Sequence, residues 1–450
     1  MKNLYISIIA SIIQFSCTSQ EVIEKSRSLE PVLKEIKTID PNNEDFSDLQ
    51  FLKKIIERDS VQVILLGEQT HGDGSTFLAK SRIIKFLHKE AGFDVLAFES
   101  GIFNCTYAWE KIKQNGNYAE EIRKAVFHMW VNSNECSTLI NYLQSTLAGS
   151  NPVELTGFDP RLTANQNCQL LIDGLFYNRL DFLTQGEKNL IVKIICFDEE
   201  VLSGKDKTYN NSVMEKLING LDSLSRLDIL PHLESLHPND NLPGPDNKFE
   251  YWKHVMEGVK VSYNSDLTSK YEKVNLNDAE ILNARDVQMG KNLVWLAKNK
   301  YKNRKIIVWA ANFHCFRNSE ELTSTVEALK FIDAVNKKTI TMGDILYDSL
   351  QSRIYSIGFT QYTGKRKNLQ NNKTEDIPDY SDLSFENVIS SVGNEYSFVD
   401  LRDTNNPVWL KEEFISSLRS GKDLNGKWKN VTDGIFYIKE MKPSTFGNEN

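Results

Sequence analysis

The sequence predicts an α/β fold with a mainly parallel central sheet flanked by helices and carrying a helical cap insertion. Short apolar runs alternate with stretches whose apolar residues recur at helical spacing. Strand–helix–strand order of this kind builds parallel sheets that are covered by helices on both faces. One long segment, 166–300, contains no convincing strand, and its periodicity indicates amphipathic helices. We interpret that segment as a cap over the sheet rather than a separate domain.

The individual elements follow from the same patterns. Five short apolar runs are predicted to be strands: Val61–Leu66, Asp94–Phe98, Val153–Gly157, Lys305–Ala310 and Arg353–Phe359. Helical spacing predicts helices at Thr76–Lys89, Tyr118–Met129, Ser137–Leu147, Leu190–Asp198, Val213–Leu230 and Ala279–Asn299. Composition predicts loops at Leu236–Phe249 and Thr363–Asp382, and disorder over the last ten residues.

The overall composition is that of a soluble globular protein. The chain has 450 residues, of which 40% are hydrophobic and 25% are charged, and its net charge is −8. Nucleic-acid binding rests on positive charge, so this balance gives a nucleic-acid partner no support. We expect a monomer whose main domain spans 40–440.

The N-terminus predicts an export signal over 1–17. Lys2 is followed by the mostly apolar stretch Leu4–Phe15, which is too short for a good membrane span and suits a signal sequence. Ser16-Cys17 then resembles a bacterial lipoprotein cleavage site. We expect an exported protein of the periplasm or outer membrane, held to the membrane only through a lipid on Cys17. The alternative is an ordinary secretory signal cut near Thr18.

Five cysteines follow the predicted signal. An exported protein can form disulfides, and Cys105 with Cys136 is the first candidate pair. The alternative is that these residues are small buried apolar side chains. No Cys-x-x-Cys spacing occurs, so a structural zinc site is not expected.

The loop Gly67-Glu68-Gln69-Thr70-His71-Gly72 is the most informative motif of the chain. It directly follows the first predicted strand, which is where open α/β sheets keep their functional residues. Glu68 and His71 stand three residues apart within it. A carboxylate beside an imidazole can move protons near neutral pH, so this pair is the primary catalytic candidate.

Other ionisable residues follow the remaining strands. Glu99, Asp159 and His314 come just after the second, third and fourth predicted strands, and parallel strands would bring them to the same edge as the pair. Lys80 and Arg82 on the next helix are candidates for neutralising carboxylates there. Taken singly, Asp159 could be a helix cap, His314 a hydrogen-bonded core histidine, and the two cations a solvated face.

The missing motifs narrow the chemistry. The sequence contains no Gly-x-Ser-x-Gly elbow, no phosphate-binding loop and no dinucleotide fingerprint. Without an evident side-chain nucleophile, the simplest reaction is activation of water by His71. A carboxylate would fix the tautomer of the imidazole and stabilise the imidazolium.

Several motifs together resemble the erythromycin esterase family. The family's first motif, Gly-Glu-x-Thr-His-Gly, is matched by Gly67 to Gly72, and Glu99 fits the Glu that ends the family's next strand. The remaining matches are Arg285, Asp286, Met289, Asn292 and Trp295 of a helix motif, Asn312 and His314 of a His-Asn-x-His element, and the blocks Met342–Leu346, Tyr355–Phe359 and Asp400–Arg402. The resemblance spans roughly Val61 to Arg402.

The resemblance implies ester or lactone hydrolysis without a metal, a cofactor or a covalent intermediate. His71 would be the general base for water, and Glu68 and Glu99 its carboxylate partners. His314 would bind or polarise the substrate carbonyl. The residues expected to bind substrate or to stabilise the oxyanion are Arg82, Lys80, Asp159 and Asn312.

The sequence departs from the family at two places. Ala311 stands where His-Asn-x-His has its first histidine, and Gly74-Ser75-Thr76 replaces a Glu or Arg usual after the first motif. The missing histidine is thought to act in macrolide-cleaving members, so the prediction is an ester or lactone hydrolase and does not extend to the cleavage of erythromycin itself. Two alternatives remain at this point: a metal-assisted hydrolase, and a lipoprotein that binds a ligand in the same cleft without catalysis.

Overall fold

The computed structural model describes residues 19–162, 171–172, 175, 180–196, 207–225, 249–271, 279–327, 330–419 and 421–447. The predicted signal 1–17 lies outside the described residues, as does the predicted loop Leu236–Phe249 apart from its last residue. The chain divides into two compact units. The first unit consists of Met1–Phe93, Asn132–Tyr142 and Asn303–Asn450, and the second consists of Asp94–Val131 and Leu143–Lys302.

The described strands are numbered here in chain order. They are Lys34–Ile36 (β1), Val63–Leu66 (β2), Val95–Gly101 (β3), Glu154–Asp159 (β4), Ile306–Trp309 (β5), Thr323–Ser324 (β6), Ile354–Asn368 (β7), Lys373–Asp376 (β8), Tyr396–Asp400 (β9), Phe414–Ser416 (β10), Leu424–Gly426 (β11) and Gly434–Met441 (β12).

The helices include those that the sequence predicted, with shifted ends, except that the predicted helix Tyr118–Met129 is divided into two. Residues 197–198 and 226–230, at the ends of two predicted helices, lie outside the described residues. The helices of four or more residues are 19–29, Gln50–Asp59, Gly74–Ala91, Ile102–Asn115, Tyr118–Ala125, His128–Val131, Ser137–Thr146, Gln185–Ile195, Lys207–Ser225, Phe249–Tyr271, Ala279–Trp295, Leu296–Lys300, Asn312–Cys315, Phe331–Asn336, Met342–Leu350, Phe385–Ser390 and Val408–Lys411.

Parallel strands form the centre of the first unit. β2 pairs in parallel with β5 on one side and with β7 on the other, and β7 pairs in parallel with β12. β9 is antiparallel to β12 and β1 is antiparallel to β9. All four side chains of β2 are buried, because parallel strands covered on both faces have no solvent side. The predicted α/β fold with a mainly parallel sheet flanked by helices is therefore confirmed.

The second unit contains the parallel pair β3 and β4 and a group of helices. A Cβ at Gly157 in β4 would overlap the carbonyl oxygen of Ser100 in β3, so only glycine allows this close approach. Within 166–300 the described residues are helical or irregular, and none of them is in a strand. The domain bounds 40–440 and 166–300 stay predictions.

Two sequence-based expectations are wrong. The polar segment Thr363–Asp382 contains the end of β7 and all of β8, which form an antiparallel hairpin. Its side chains are mostly exposed, so no apolar alternation marks it in the sequence. The last residues are anchored rather than disordered as far as position 447, since Thr445 hydrogen-bonds Glu135 and Asn134 donates to Thr445.

The candidate disulfide between Cys105 and Cys136 is not formed. Cys105 and Cys136 are both free and buried. Cys105 Sγ lies 3.8 Å from the carbonyl oxygen of Ala125, so the thiol has a backbone acceptor instead of a sulfur partner. Burial raises the pKa of Cys136 to about 12. Both behave as the small buried side chains of the alternative interpretation.

No helix in the described ranges is long and apolar enough to span a bilayer.

Candidate active site

The loop Gly67–Gly72 is held tightly between β2 and the helix Gly74–Ala91. A Cβ on Gly67 would overlap the side chain of Asn312, and one on Gly72 would overlap the carbonyl of Lys367. Both glycines are therefore required by close approach of neighbouring groups. The Asn312 backbone N–H donates to the Glu68 carbonyl at 2.8 Å, which joins the end of β5 to this loop.

Glu68 links a histidine and a lysine through its two carboxylate oxygens. Oε1 lies 2.7 Å from His71 Nδ1, and Oε2 accepts from Lys80 Nζ at 2.7 Å. The Glu68 and Lys80 side chains are fully buried, whereas the His71 side chain is 34% exposed. The result is a buried ion pair with one imidazole that reaches solvent.

The lysine decides the charge of the carboxylate. Burial would raise the pKa of Glu68, but the Lys80 ammonium and the hydrogen bond to His71 together hold it below its ordinary value. Lys80 Nζ also contacts the Ala310 carbonyl at 3.3 Å and lies 4.1 Å from the centre of the Trp309 ring. An ionised Glu68 accepts the Nδ1 proton of His71, which leaves the lone pair of the neutral imidazole on Nε2.

The Asp73 side chain hydrogen-bonds Thr70 and so fixes the backbone of the loop that carries His71. Its carboxylate accepts the Thr70 N–H at 2.9 Å and the Thr70 hydroxyl at 2.7 Å. Burial raises the pKa of Asp73 to about 6, although these hydrogen bonds oppose the rise. The Gly72 carbonyl accepts from the N–H groups of Lys367 and Ser444. Sequence reasoning missed Asp73, for which the only signal was its place immediately before the helix.

Asn312 and His314 lie on the short helix that follows β5. Asn312 Nδ2 donates to the Phe359 and Leu418 carbonyls, and its Oδ1 accepts the Phe359 N–H. The Asn312 side chain therefore hydrogen-bonds backbone groups and positions the strand ends. The sequence-based prediction was that it contacts the substrate. His314 is 8% exposed, and its ring lies against that of Phe313.

Arg82 is placed differently from the prediction. Its guanidinium forms a bidentate ion pair with Asp48 and donates to the carbonyls of Thr38 and Asp45. These partners come from the segment before the helix Gln50–Asp59 and use both terminal nitrogens. Arg82 is thus a buried structural arginine, and the oxyanion role expected for it has no support in the geometry.

In the second unit, several ionisable side chains pair with one another. Arg285 Nη2 lies 2.7 Å from Glu99 Oε1 and 2.5 Å from Asp159 Oδ2, and Arg161 donates to the same Asp159 oxygen at 3.0 Å. Burial would raise the pKa of Asp159, but the two arginines hold it below its ordinary value. Arg285 thus joins the ends of β3 and β4.

Arg285 was not among the predicted site residues. Two features of the sequence could have pointed to Arg285. It stands at the start of the helix motif, and two buried carboxylates need a cation to neutralise them. Further along that helix, Asn292 Nδ2 donates to the Phe158 carbonyl at 2.9 Å, which fixes the helix against the end of β4.

Within the described residues, no group of three or more His, Cys, Asp or Glu side chains is arranged to hold a metal ion. In both groups the buried carboxylates are instead neutralised by Lys or Arg.

The erythromycin esterase family model matches residues 88–440. Among known proteins, the chain is 25% identical over 449 residues to "Putative hydrolase YbfO" of Bacillus subtilis (strain 168), covering 96% of this chain and 94% of that protein. It is 22% identical over 412 residues to an erythromycin esterase type II of Escherichia coli, covering 89% and 94%.

Solved structures show the same fold. A Bacillus cereus protein matches with a TM-score of 0.70 at 20% identity, covering 95% of this chain and 99% of that one. A mutant of the erythromycin esterase EreC in its open conformation matches with a TM-score of 0.60 at 14% identity, covering 93% and 99%.

Proposed function

Because this chain belongs to the erythromycin esterase family and is a hydrolase, we propose that it cleaves an ester or lactone with water activated by His71. The proposal rests mainly on the contact between Glu68 and His71, whose two side chains differ in exposure. Glu68 is fully buried and lies 2.7 Å from Nδ1 of a histidine whose side chain is one third exposed. A base needs one ring nitrogen fixed and part of the ring accessible to the substrate, and the buried Glu68 contact together with the exposure of His71 supports this role.

The proton transfers of this reaction balance without a covalent intermediate. His71 Nε2 takes a proton from water while the water oxygen attacks the carbonyl carbon. The imidazolium that forms is stabilised by the Glu68 carboxylate at Nδ1. As the tetrahedral intermediate collapses, the alkoxide leaves and takes the proton from Nε2, which yields a carboxylic acid and an alcohol.

Lys80 acts in this scheme through Glu68. It has no exposed surface and lies on the side of the carboxylate opposite to His71, so we assign it a positioning role in place of the predicted oxyanion role. It keeps Glu68 ionised and therefore able to hold the Nδ1 proton.

We assign contact with the substrate carbonyl to His314. It lies on the helix after β5, which pairs with β2 in register from Val63↔Ile306 to Leu66↔Trp309. The backbone hydrogen bond from Asn312 to Glu68 ties that helix directly to the His71 loop.

A substrate panel tests this function. Purified protein is assayed on aryl esters, aliphatic esters, small lactones and macrocyclic lactones. We expect hydrolysis of simple esters or lactones, with macrolide cleavage weak because Ala311 lacks an imidazole. The variant Ala311→His should raise macrolide cleavage selectively. Binding of these compounds by calorimetry without turnover of any of them would replace the proposal with a ligand-binding role.

We also propose that the protein is exported and carries a lipid on Cys17, as the apolar stretch and Ser16-Cys17 suggest. Metabolic labelling with radioactive palmitate in a bacterial host tests this. Label in the wild type that disappears in Cys17→Ala supports lipidation. An unlabelled mature protein cut near Thr18 would support an ordinary secretory signal.

A further inference from the structure

A second polar cluster of the first unit starts from the His71 loop itself. Gln69 Nε2 donates to the Thr360 hydroxyl at 3.2 Å and to the Ser417 carbonyl at 2.5 Å, and its Oε1 accepts from Gln361 Nε2. The Thr360 hydroxyl donates in turn to Glu386 Oε1 at 2.7 Å. A continuous chain of hydrogen bonds therefore runs from the catalytic loop to Glu386.

This cluster contains several polar atoms that the described residues leave without a hydrogen bond. Glu386 Oε1 accepts three hydrogen bonds, the other two from Ser416 and Ser417, yet Oε2 of the same carboxyl has no partner within the described chain. Three further atoms have no hydrogen-bond partner within the described chain: Gln361 Oε1, the Tyr380 hydroxyl and Arg366 Nη1. Each buried orphan group costs about 1–3 kcal/mol, so several together need a function.

Two observations place these atoms in one region. A Cβ built on Gly421 would lie 3.2 Å from Arg366 Nη1 and 3.9 Å from Gln69 Oε1, so both side chains approach the same point. Ser381, which directly follows Tyr380, donates its N–H to Asp423 at 2.8 Å, and Asp423 also accepts from the Ser417 hydroxyl. Ser417 in turn bonds both Gln69 and Glu386. Tyr380 and Arg366 are themselves only partly buried, so the cluster lies just beneath the surface.

The chemistry of the orphan atoms selects the kind of ligand. Arg366 Nη1 can only donate, Gln361 Oε1 can only accept, and the Tyr380 hydroxyl can do both. An anion would face Gln361 and Glu386 oxygens, and a cation would face Arg366. A group of neighbouring hydroxyls, each a donor and an acceptor, can satisfy the whole set.

We propose that Glu386, Tyr380, Gln361 and Arg366 form a subsite for a hydroxyl-rich part of the substrate, such as a sugar or polyol moiety. The inference rests on the proposed esterase function, because Gln69 of the His71 loop belongs to the same hydrogen-bond network. In the subsite the Tyr380 hydroxyl bonds a ligand oxygen.

A matched pair of esters tests the subsite. 6-O-butyrylglucose and cyclohexylmethyl butyrate share an acyl group and a six-membered ring, and they differ in the ring oxygen and the ring hydroxyls. We expect the wild type to prefer the glucose ester in kcat/KM by about tenfold or more. Tyr380→Phe should lose most of that preference through KM while its rate on cyclohexylmethyl butyrate stays unchanged.

Thermal unfolding supplies the second readout. Tyr380→Phe removes a hydroxyl that has no partner in the described structure, so Tm should be unchanged or higher. Tyr362→Phe is the matched control, because the Tyr362 hydroxyl donates to Asn387 Oδ1 at 3.2 Å. That control should leave the ester preference intact.

Several outcomes would overturn the subsite: equal wild-type rates on both esters, full preference in Tyr380→Phe, or a lowered Tm that marks the hydroxyl as structural. If neither ester is hydrolysed, the proposed function fails for these substrates, and calorimetry with 6-O-butyrylglucose still decides the subsite. Binding that Tyr380→Phe weakens supports it, and absence of binding overturns it.

Discussion

Glu68 Oε1 lies 2.7 Å from His71 Nδ1, and the two side chains differ sharply in exposure. The carboxylate has no contact with solvent, and the imidazole is one third exposed. The contact forms within a loop whose ends are fixed by Gly67 and Gly72 at positions where no Cβ fits. The pair is therefore preorganised by backbone packing, which is what a water-activating base requires.

Replacing Lys80 with Met should lower catalytic activity, because Lys80 keeps Glu68 ionised. Without the ammonium, burial dominates and the pKa of Glu68 rises from its lowered value. The acid limb of the kcat/KM profile should then move to higher pH. Lys85→Met is the matched control, since Lys85 lies on the same helix and pairs with Glu44 instead. A profile for Lys80→Met that coincides with the wild type would exclude the positioning role.

Asp73 should make stability depend on pH in a defined direction. Its pKa is about 6 when folded and 3.8 when unfolded, so the folded state holds the proton more tightly. Its contribution is fully present below pH 3.8 and is lost as pH rises through about 6, by about 3 kcal/mol in all.

Asp73→Asn isolates this contribution. Relative to the wild type, the variant should gain about 2.5 kcal/mol of unfolding free energy between pH 4 and pH 7, measured by urea denaturation. The exposed Asp376→Asn should show no such trend. A difference between variant and wild type that is constant with pH would contradict the raised pKa.

Arg82→Met should destabilise the protein without changing the chemistry. The substitution leaves Asp48 buried without its bidentate partner, which costs about 3–5 kcal/mol. The kcat per folded molecule should stay within about twofold of the wild type because Arg82 contacts only structural groups. Normal unfolding together with a large loss of kcat would restore the oxyanion role that the sequence suggested.

The C-terminal residues should matter for activity. Ser444 donates to the Gly72 carbonyl, Ser75 donates to the Lys442 carbonyl, and Asp73 forms a bridge with Pro443. Deleting 442–450 should free one side of the His71 loop and lower kcat by roughly ten- to a hundredfold. Deleting only 448–450 should leave kcat unchanged. Equal activity of both truncations would show that the loop is held without the tail.

The sequence predicted the parallel centre of the fold well, because buried parallel strands such as β2 are continuous apolar runs. It missed β9 and β12, and it missed the β7–β8 hairpin, whose exposed polar residues show no alternation. Such pairings are set by tertiary contacts that local patterns do not encode.

In the candidate site, the pairing of Glu68 with His71 was predictable from their spacing on one loop. A neutralising role for Lys80 was predictable because it was expected to lie near the carboxylates. The different roles that the structure gives to Lys80 and Arg82 were not predictable. Residues two positions apart on a helix point to different faces. Only the structure shows that Arg82 forms an ion pair with Asp48. Arg285 was hidden because its partners Glu99 and Asp159 lie more than a hundred residues away in the chain.

The most direct test of the account is the kinetics of His71→Asn on the best ester from the substrate panel. Loss of the general base should lower kcat by roughly a hundred- to ten-thousandfold while unfolding by urea stays close to that of the wild type. His128→Asn, which changes an exposed histidine, should keep full activity. Equal kcat for His71→Asn and the wild type would contradict the assignment of His71 as the base.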